Sequence, residues 1–138
     1  MPSDHSGAAG PGPSTIMVVE PDILARMVIA DYLRDCGYKV IEGVTGEDVL
    51  VVLRAGGKLD TVLTEVTLPG EIDGFGLVRR IREAHPGIDV LLSAGVANAA
   101  GKAGDLCEDG PLEKPYHPPE VVRRINVLRE RRRMSKLT

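Results

Sequence analysis

The sequence predicts an α/β fold, a parallel sheet with helices on both faces, and three observations carry that prediction. Short apolar, β-favouring runs alternate with amphipathic helical segments, and the strand–helix order recurs five times along the chain. The strand candidates are near-continuous Val, Ile and Leu runs, as expected of strands buried on both faces. The segments between them have the length of right-handed crossovers between parallel strands. No internal sequence repeat is evident.

Residues 1–13 are rich in Gly and Pro without periodicity and read as a disordered leader. Residues 14–19 contain Ile16, Met17, Val18 and Val19 in succession, a first strand ending at Glu20-Pro21-Asp22. Residues 23–36 have helical spacing, and Leu24, Val28 and Tyr32, flanked by Met27 and Leu33, are expected to face the core. Pro21 suits a first turn and Gly37 a C-terminal stop. Residues 38–44 read as a second strand. Thr45 and Asp48 then resemble an N-cap with an acid in the first turn, opening a helix whose apolar face is Val49, Leu50 and Leu53.

A third strand runs to Glu65, followed by the turn from Pro69-Gly70 to Asp73-Gly74. Asp73 is a suitable N-cap for a helix over 75–85 that buries Phe75, Leu77, Val78 and Ile81. Residues 89–93 form a fourth short strand. Between 94 and 110 the pattern fails: four glycines and many alanines leave only Val96 and Leu106 as larger aliphatics. The fourth helix is therefore expected to be weak or replaced by a loop. Residues 111–115 resemble a brief fifth strand. A last helix, residues 120 to about 132, turns Val121, Val122, Ile125 and Leu128 inward. The expected organisation is a leader over 1–13, one domain over 14–132 and a basic tail over 133–138.

At 138 residues, 43% hydrophobic and 27% charged, the chain has the size and composition of one globular domain. With no Trp and one Phe, its core must be aliphatic. No window reaches the roughly 18 apolar residues of a membrane span, and the N-terminus lacks a signal peptide's apolar centre. A cytoplasmic protein without a membrane partner is expected. Cys36 and Cys107 have no metal-type spacing, which fits a reducing compartment. Residues 120–138 carry seven Lys/Arg against two Glu, and the rest of the chain ten against eighteen Asp/Glu. An acidic body therefore carries a basic end.

In a doubly wound sheet Glu20, Glu65, Ser93 and Lys114 gather at the carboxyl edge, where such folds place their sites. Glu20, Asp22 and Glu65 beside one Lys could hold a hard divalent cation and a phosphoryl oxygen. Charge and spacing fit equally a set of solvated loop residues or a structural ion pair. Residues 95–103 fail as a phosphate loop, because five residues separate Gly95 from Gly101 and Ala103 stands at the Ser/Thr position. Gly74-Phe75-Gly76 is too short for a dinucleotide fingerprint. His5, His85 and His117 have no metal-type spacing. Arg129 to Lys136 could touch nucleic acid, but a solvated helix end is the simpler reading.

Five ordered segments carry a family resemblance: IMVVEPDILAR (16–26), GYKVIEGVTGEDVL (37–50), DTVLTEVTLPGEIDGFGLVRRIR (60–82), DVLLSAG (89–95) and LEKPY (112–116). Together they resemble the response-regulator receiver domain of two-component signalling. The resemblance implies a flavodoxin-like, five-stranded sheet of order 2-1-3-4-5 and a signalling protein, and the departures set out below lead to the expectation that it is not an enzyme. It implies a histidine kinase or another signalling protein as partner, and nucleic acid is the less favoured alternative. In receivers an Asp ending the third strand accepts a phosphoryl group from a kinase phosphohistidine. An acidic pair after the first strand and a carbonyl two residues past the acceptor hold Mg²⁺. A Ser or Thr after the fourth strand and a Lys after the fifth bind phosphoryl oxygens.

Matched by position, the acceptor is Glu65, the acidic pair Glu20-Pro21, the carbonyl that of Thr67, the hydroxyl Ser93 and the lysine Lys114. Glu65 is one methylene longer than Asp, and Pro21 offers no carboxylate, with Asp22 one residue further on. The family's aromatic switch position is Pro111, which has no ring. These departures predict weak or absent Mg²⁺ binding at Glu20, Glu65 and the Thr67 carbonyl. They point to a stand-alone pseudo-receiver that acts through phosphorylation-independent protein contacts. The alternatives are a phosphorylatable receiver and a nucleic-acid-binding regulator acting through its basic tail.

Overall fold

The structure, a computed structural model, describes residues 14–94, 112–113 and 117–136. The expected fourth helix, Pro111, Lys114 and the leader lie outside the described residues. In order, the elements are β1 (Thr15–Val19), α1 (Ile23–Asp35), β2 (Lys39–Gly43), α2 (Gly46–Arg54), β3 (Thr61–Glu65), α3 (Gly74–Ala84), β4 (Asp89–Ala94), β5 (Leu112–Glu113) and a C-terminal helix (Pro118–Lys136). The strands pair in parallel in the order β2-β1-β3-β4, and the two-residue β5 extends the sheet beside Ser93 and Ala94.

The period-two geometry of β1 explains its unbroken apolar run. Ile16 and Val18 enter one core with Ile29 and Leu33 of α1, Leu63, Leu91, and Val121 and Ile125 of the C-terminal helix. Met17 and Val19 enter the other with Val49, Val62, Leu77 and Ile81 of the α2–α3 side. Each face of one strand serves a different core, so polar alternation has no place in it.

The caps follow the sequence closely. Thr45 and Asp48 form a capping box, with Asp48 N donating to Thr45 Oγ1 (3.2 Å) and Thr45 N to Asp48 Oδ2 (3.0 Å). Asp73 Oδ1 caps α3 through the N–H of Gly76 at 2.8 Å. Gly37, with φ of 98°, follows α1 in the left-handed region that favours glycine.

Two expectations are corrected. The inward face of α1 is Ile29, Ala30 and Leu33, whereas Leu24 is 71% and Val28 58% exposed. This helix is apolar around much of its girth, and contact with the C-terminal helix selects the face. The last helix begins at Pro118 and continues to Lys136, so residues 133–136 are helical rather than a separate tail. Arg132 holds its end down: Nη2 and Nε reach Asp89 Oδ1 at 2.5 and 3.0 Å, and Nη1 donates to the Pro86 carbonyl at 3.2 Å.

Candidate functional site

All five residues of β3 are buried, and the strand carries Glu65 to the carboxyl edge with its side chain 8% exposed. The parallel register sets Glu65 directly beside Ser93 of β4. Val19 pairs with Thr64, so Glu20, the next residue, lies level with Glu65 on the other side. Glu20 is 1% exposed and Ser93 is fully buried. The edge therefore brings together two buried carboxylates and a hydroxyl, as the sequence predicted for Glu20, Glu65 and Ser93.

Each carboxylate is met by nearby backbone. Glu65 Oε1 accepts the N–H of Val66 (3.0 Å), which is also directed at the Ser93 carbonyl (2.9 Å). Glu20 Oε2 accepts the N–H of Asp22 at 3.0 Å. The Ser93 hydroxyl donates to the Thr64 carbonyl at 3.4 Å, and Thr64 Oγ1 donates to the carbonyl of Glu65 at 3.1 Å.

Asp22 does not join this buried group. It is exposed and serves as the N-cap of α1, its Oδ1 accepting from Leu24 N (3.0 Å) and Ala25 N (3.4 Å). Of the three carboxylates expected at the edge, Glu20 and Glu65 are buried there and Asp22 is a helix cap. Thr67 is exposed in the loop after β3. Among the described residues, no group of three or more His, Cys, Asp or Glu is arranged to hold a metal ion.

The sequence reading missed two neighbours of the edge. Arg26 of α1 donates through Nη1 to the Glu20 carbonyl (2.7 Å) and through Nε to Glu42 Oε1 (3.1 Å). Glu42 Oε2 also meets Arg34 at 3.1 Å, so this carboxylate joins two turns of α1 to β2. Glu47 Oε2 accepts the N–H of Glu71 (3.1 Å) and fastens α2 to the loop after β3. The Arg26–Glu42 and Glu47–Glu71 contacts have no local signal, since each spans separate elements. Gly74 had one, the Asp-Gly pair before α3. Its N–H donates to the Val66 carbonyl at 2.8 Å, and a Cβ there would sit 2.4 Å from the Glu65 carbonyl oxygen. Only glycine lets α3 start against the end of β3.

A doubly wound sheet with its acidic residues at the carboxyl edge defines a flavodoxin-like domain. Within that class the assignment is specific: the family model described as the response regulator receiver domain matches residues 16–126. The chain belongs to the response-regulator receiver domain family of two-component signalling. It is 32% identical over 87% of its length to the sensor kinase CckA of Brucella abortus, of which the match covers 13%. It is 29% identical over 99% of its length to the sensor histidine kinase RcsC of Escherichia coli K12, covering 14% of that protein. Its match to the YbdJ transcriptional regulatory protein of Bacillus subtilis covers 50% of that protein at 31% identity. The chain thus spans half or less of these curated relatives.

A response regulator from Chloroflexus aurantiacus J-10-fl superposes with a TM-score of 0.70 at 29% identity, over 82% of this chain and 94% of the other. The signal receiver domain of an HD domain-containing protein from Pseudomonas fluorescens Pf-5 superposes at 0.77, over 88% of this chain and 98% of the other. At 22% identity, the second likeness bears on the fold alone.

Proposed function

We propose that this receiver domain signals through protein–protein contacts without taking up a phosphoryl group, with Glu65 a fixed negative charge at the acceptor position. The observation that carries the reading is the Glu65 carboxylate, buried at a strand end with Oε1 directed at the N–H of the next residue. Phosphoryl transfer depends chiefly on positioning and charge stabilisation, and a displacement of about 1 Å can be costly. The longer side chain alters that position directly.

The donor set also fits Mg²⁺ poorly. That ion requires near-octahedral oxygen geometry and is usually held through one or two carboxylates. Here Pro21 has no carboxylate, Asp22 caps α1, and both Glu20 and Glu65 accept backbone N–H groups. Two of the relatives are named as sensor kinases, which supports a histidine kinase or its associated proteins as partners. No helix among the described residues is long and apolar enough to cross a membrane.

Intact-mass spectrometry after incubation with acetyl phosphate and Mg²⁺ tests the reading. The expected result is no mass increase for the parent chain. An NMR titration should show weak or absent Mg²⁺ binding in the parent and a gain in the Glu65→Asp, Pro21→Asp double variant. Stoichiometric, Mg²⁺-dependent labelling of Glu65 would overturn the proposal in favour of a working phosphoacceptor. Nucleic-acid binding has less support, because Arg123, Arg132 and Arg133 pair with Glu120, Asp89 and Glu130. Salt-insensitive or absent DNA binding is expected.

A further inference from the structure

The loop between β3 and α3, residues 66–73, begins at the N–H that meets the Glu65 carboxylate. Its two ends are joined, since Gly74 N donates to the Val66 carbonyl at 2.8 Å. Leu68 and Ile72 are buried in the core on the α2–α3 side, while Thr67 is exposed. Between those two anchors stands the crest, Pro69, Gly70 and Glu71, all three exposed.

The first turn of α2 takes hold of this crest. Glu47 Oε2 accepts the N–H of Glu71 at 3.1 Å. A Cβ at residue 70 would stand 2.8 Å from Glu47 Oε1, and Gly70 has a φ of 93°. The crest therefore fits this carboxylate only with glycine at its top. One side chain thus meets two successive residues of a distant loop, one through each carboxylate oxygen.

Helix stability does not account for this reach. An acid in the first turn is favoured by the helix dipole without touching anything, and Asp48 already completes the capping box. Glu47 Oε1 is moreover buried and receives no hydrogen bond among the described residues. That is an unfavourable place for a carboxylate oxygen that water could otherwise solvate. What the position does serve is the loop.

We propose that Glu47 is a built-in latch, which holds the loop after β3 in one position without a metal ion or a phosphoryl group. The latch presents Thr67, Pro69 and Glu71 beside Glu65 as a ready-made recognition surface. This rests on the reading that the domain signals through protein contacts alone. A surface ordered in advance loses less conformational entropy when a partner binds. The latch depends on reach, because its contacts lie at the far end of a side chain that bridges two elements. Aspartate keeps the charge and the dipole interaction but is one methylene short. Glutamine keeps the length and one acceptor oxygen.

Amide hydrogen exchange followed by NMR on the full chain, without Mg²⁺ or a phosphodonor, tests the proposal. The Glu71 N–H is expected to be protected in the parent. Glu47→Ala and Glu47→Asp should each speed its exchange at least about tenfold, and Glu47→Gln should stay within about threefold of the parent. Amides of β1 and α1 should exchange alike in all four proteins. A double-mutant cycle gives a second measurement. The effect of Gly70→Ala on the unfolding equilibrium constant should be at least about fivefold smaller when Glu47 is already alanine. The strain of the positive φ is common to both backgrounds and cancels. Open-chain exchange at Glu71 in the parent, or equal exchange in the parent and Glu47→Ala, overturns the proposal. So does strict additivity of Glu47→Ala and Gly70→Ala. Labelling of Glu65 by acetyl phosphate is a different failure: it removes the phosphorylation-independent reading, while the exchange rates still report on the latch.

Discussion

Glu20 and Glu65 each meet a backbone N–H within two residues of themselves. Hydrogen bonds to a charged acceptor are among the stronger ones, and a metal at this edge would have to compete with them. Asp22 illustrates the same local preference outside the pocket. A carboxylate two residues before Leu24 is well placed to satisfy the orphan N–H groups of a first turn, and it does so at 3.0 Å. Asp22→Ala should therefore lower stability by about 1 kcal/mol, a typical N-cap loss, as read from urea unfolding. The same variant should leave Mg²⁺ affinity unchanged; a marked loss of affinity would return Asp22 to the metal site. Glu65, Glu20 and Ser93 were legible in the sequence because strand register alone places them. Arg26 was not, because its role depends on β2 lying within reach of α1.

Helix caps and helix faces differed in how far they could be read. The capping box of α2 is local and was visible in Thr45 and Asp48. The N–H groups of Val44 and Thr45 hold the Asp48 carboxyl below its ordinary value of 3.8. A lowered folded value means that the stabilisation is complete above pH 3.8 and is lost as pH falls through the lower folded value. Asp48→Asn should accordingly narrow the stability difference from the parent chain as the pH is taken below that value, which a pH series of urea midpoints measures. The orientation of α1 could not be read in this way. Leu24, Val28 and Tyr32 fit one helical stripe, and Ile29 and Leu33 fit another. The choice belongs to tertiary packing with Val121 and Ile125. Leu33→Ala should cost about 2–5 kcal/mol through lost burial and a cavity. Leu24→Ala should stay within about 0.5 kcal/mol for the monomer. Thermal unfolding of both variants at low protein concentration decides between the two faces.

Across the whole molecule the sheet separates two cores, and the C-terminal helix closes one of them. Its last turns are fastened by Arg132 to Asp89, a carboxylate only 9% exposed, while Arg132 itself is 34% exposed. Removing the guanidinium would leave that carboxylate buried and without this ion pair. Arg132→Ala should cost about 2 kcal/mol, less than a fully buried pair because the arginine is partly solvated. Hydrogen exchange should quicken in residues 129–136 and remain slow in β1 and β3. Alternation of strands and helices made this layered arrangement legible. The length of the last helix was not, since charged residues extend it without adding an apolar stripe.

The N–H of Val66 stands between two acceptors, the Ser93 carbonyl at 2.9 Å and Glu65 Oε1 at 3.0 Å. One of these acceptors belongs to the frame of the sheet and the other to the group that any chemistry at this edge must displace. That single amide therefore serves as an internal gauge. Its ¹⁵N–¹H resonance should shift when a ligand, a metal or a substitution draws the carboxylate away, while the strand pairing continues to protect it from solvent.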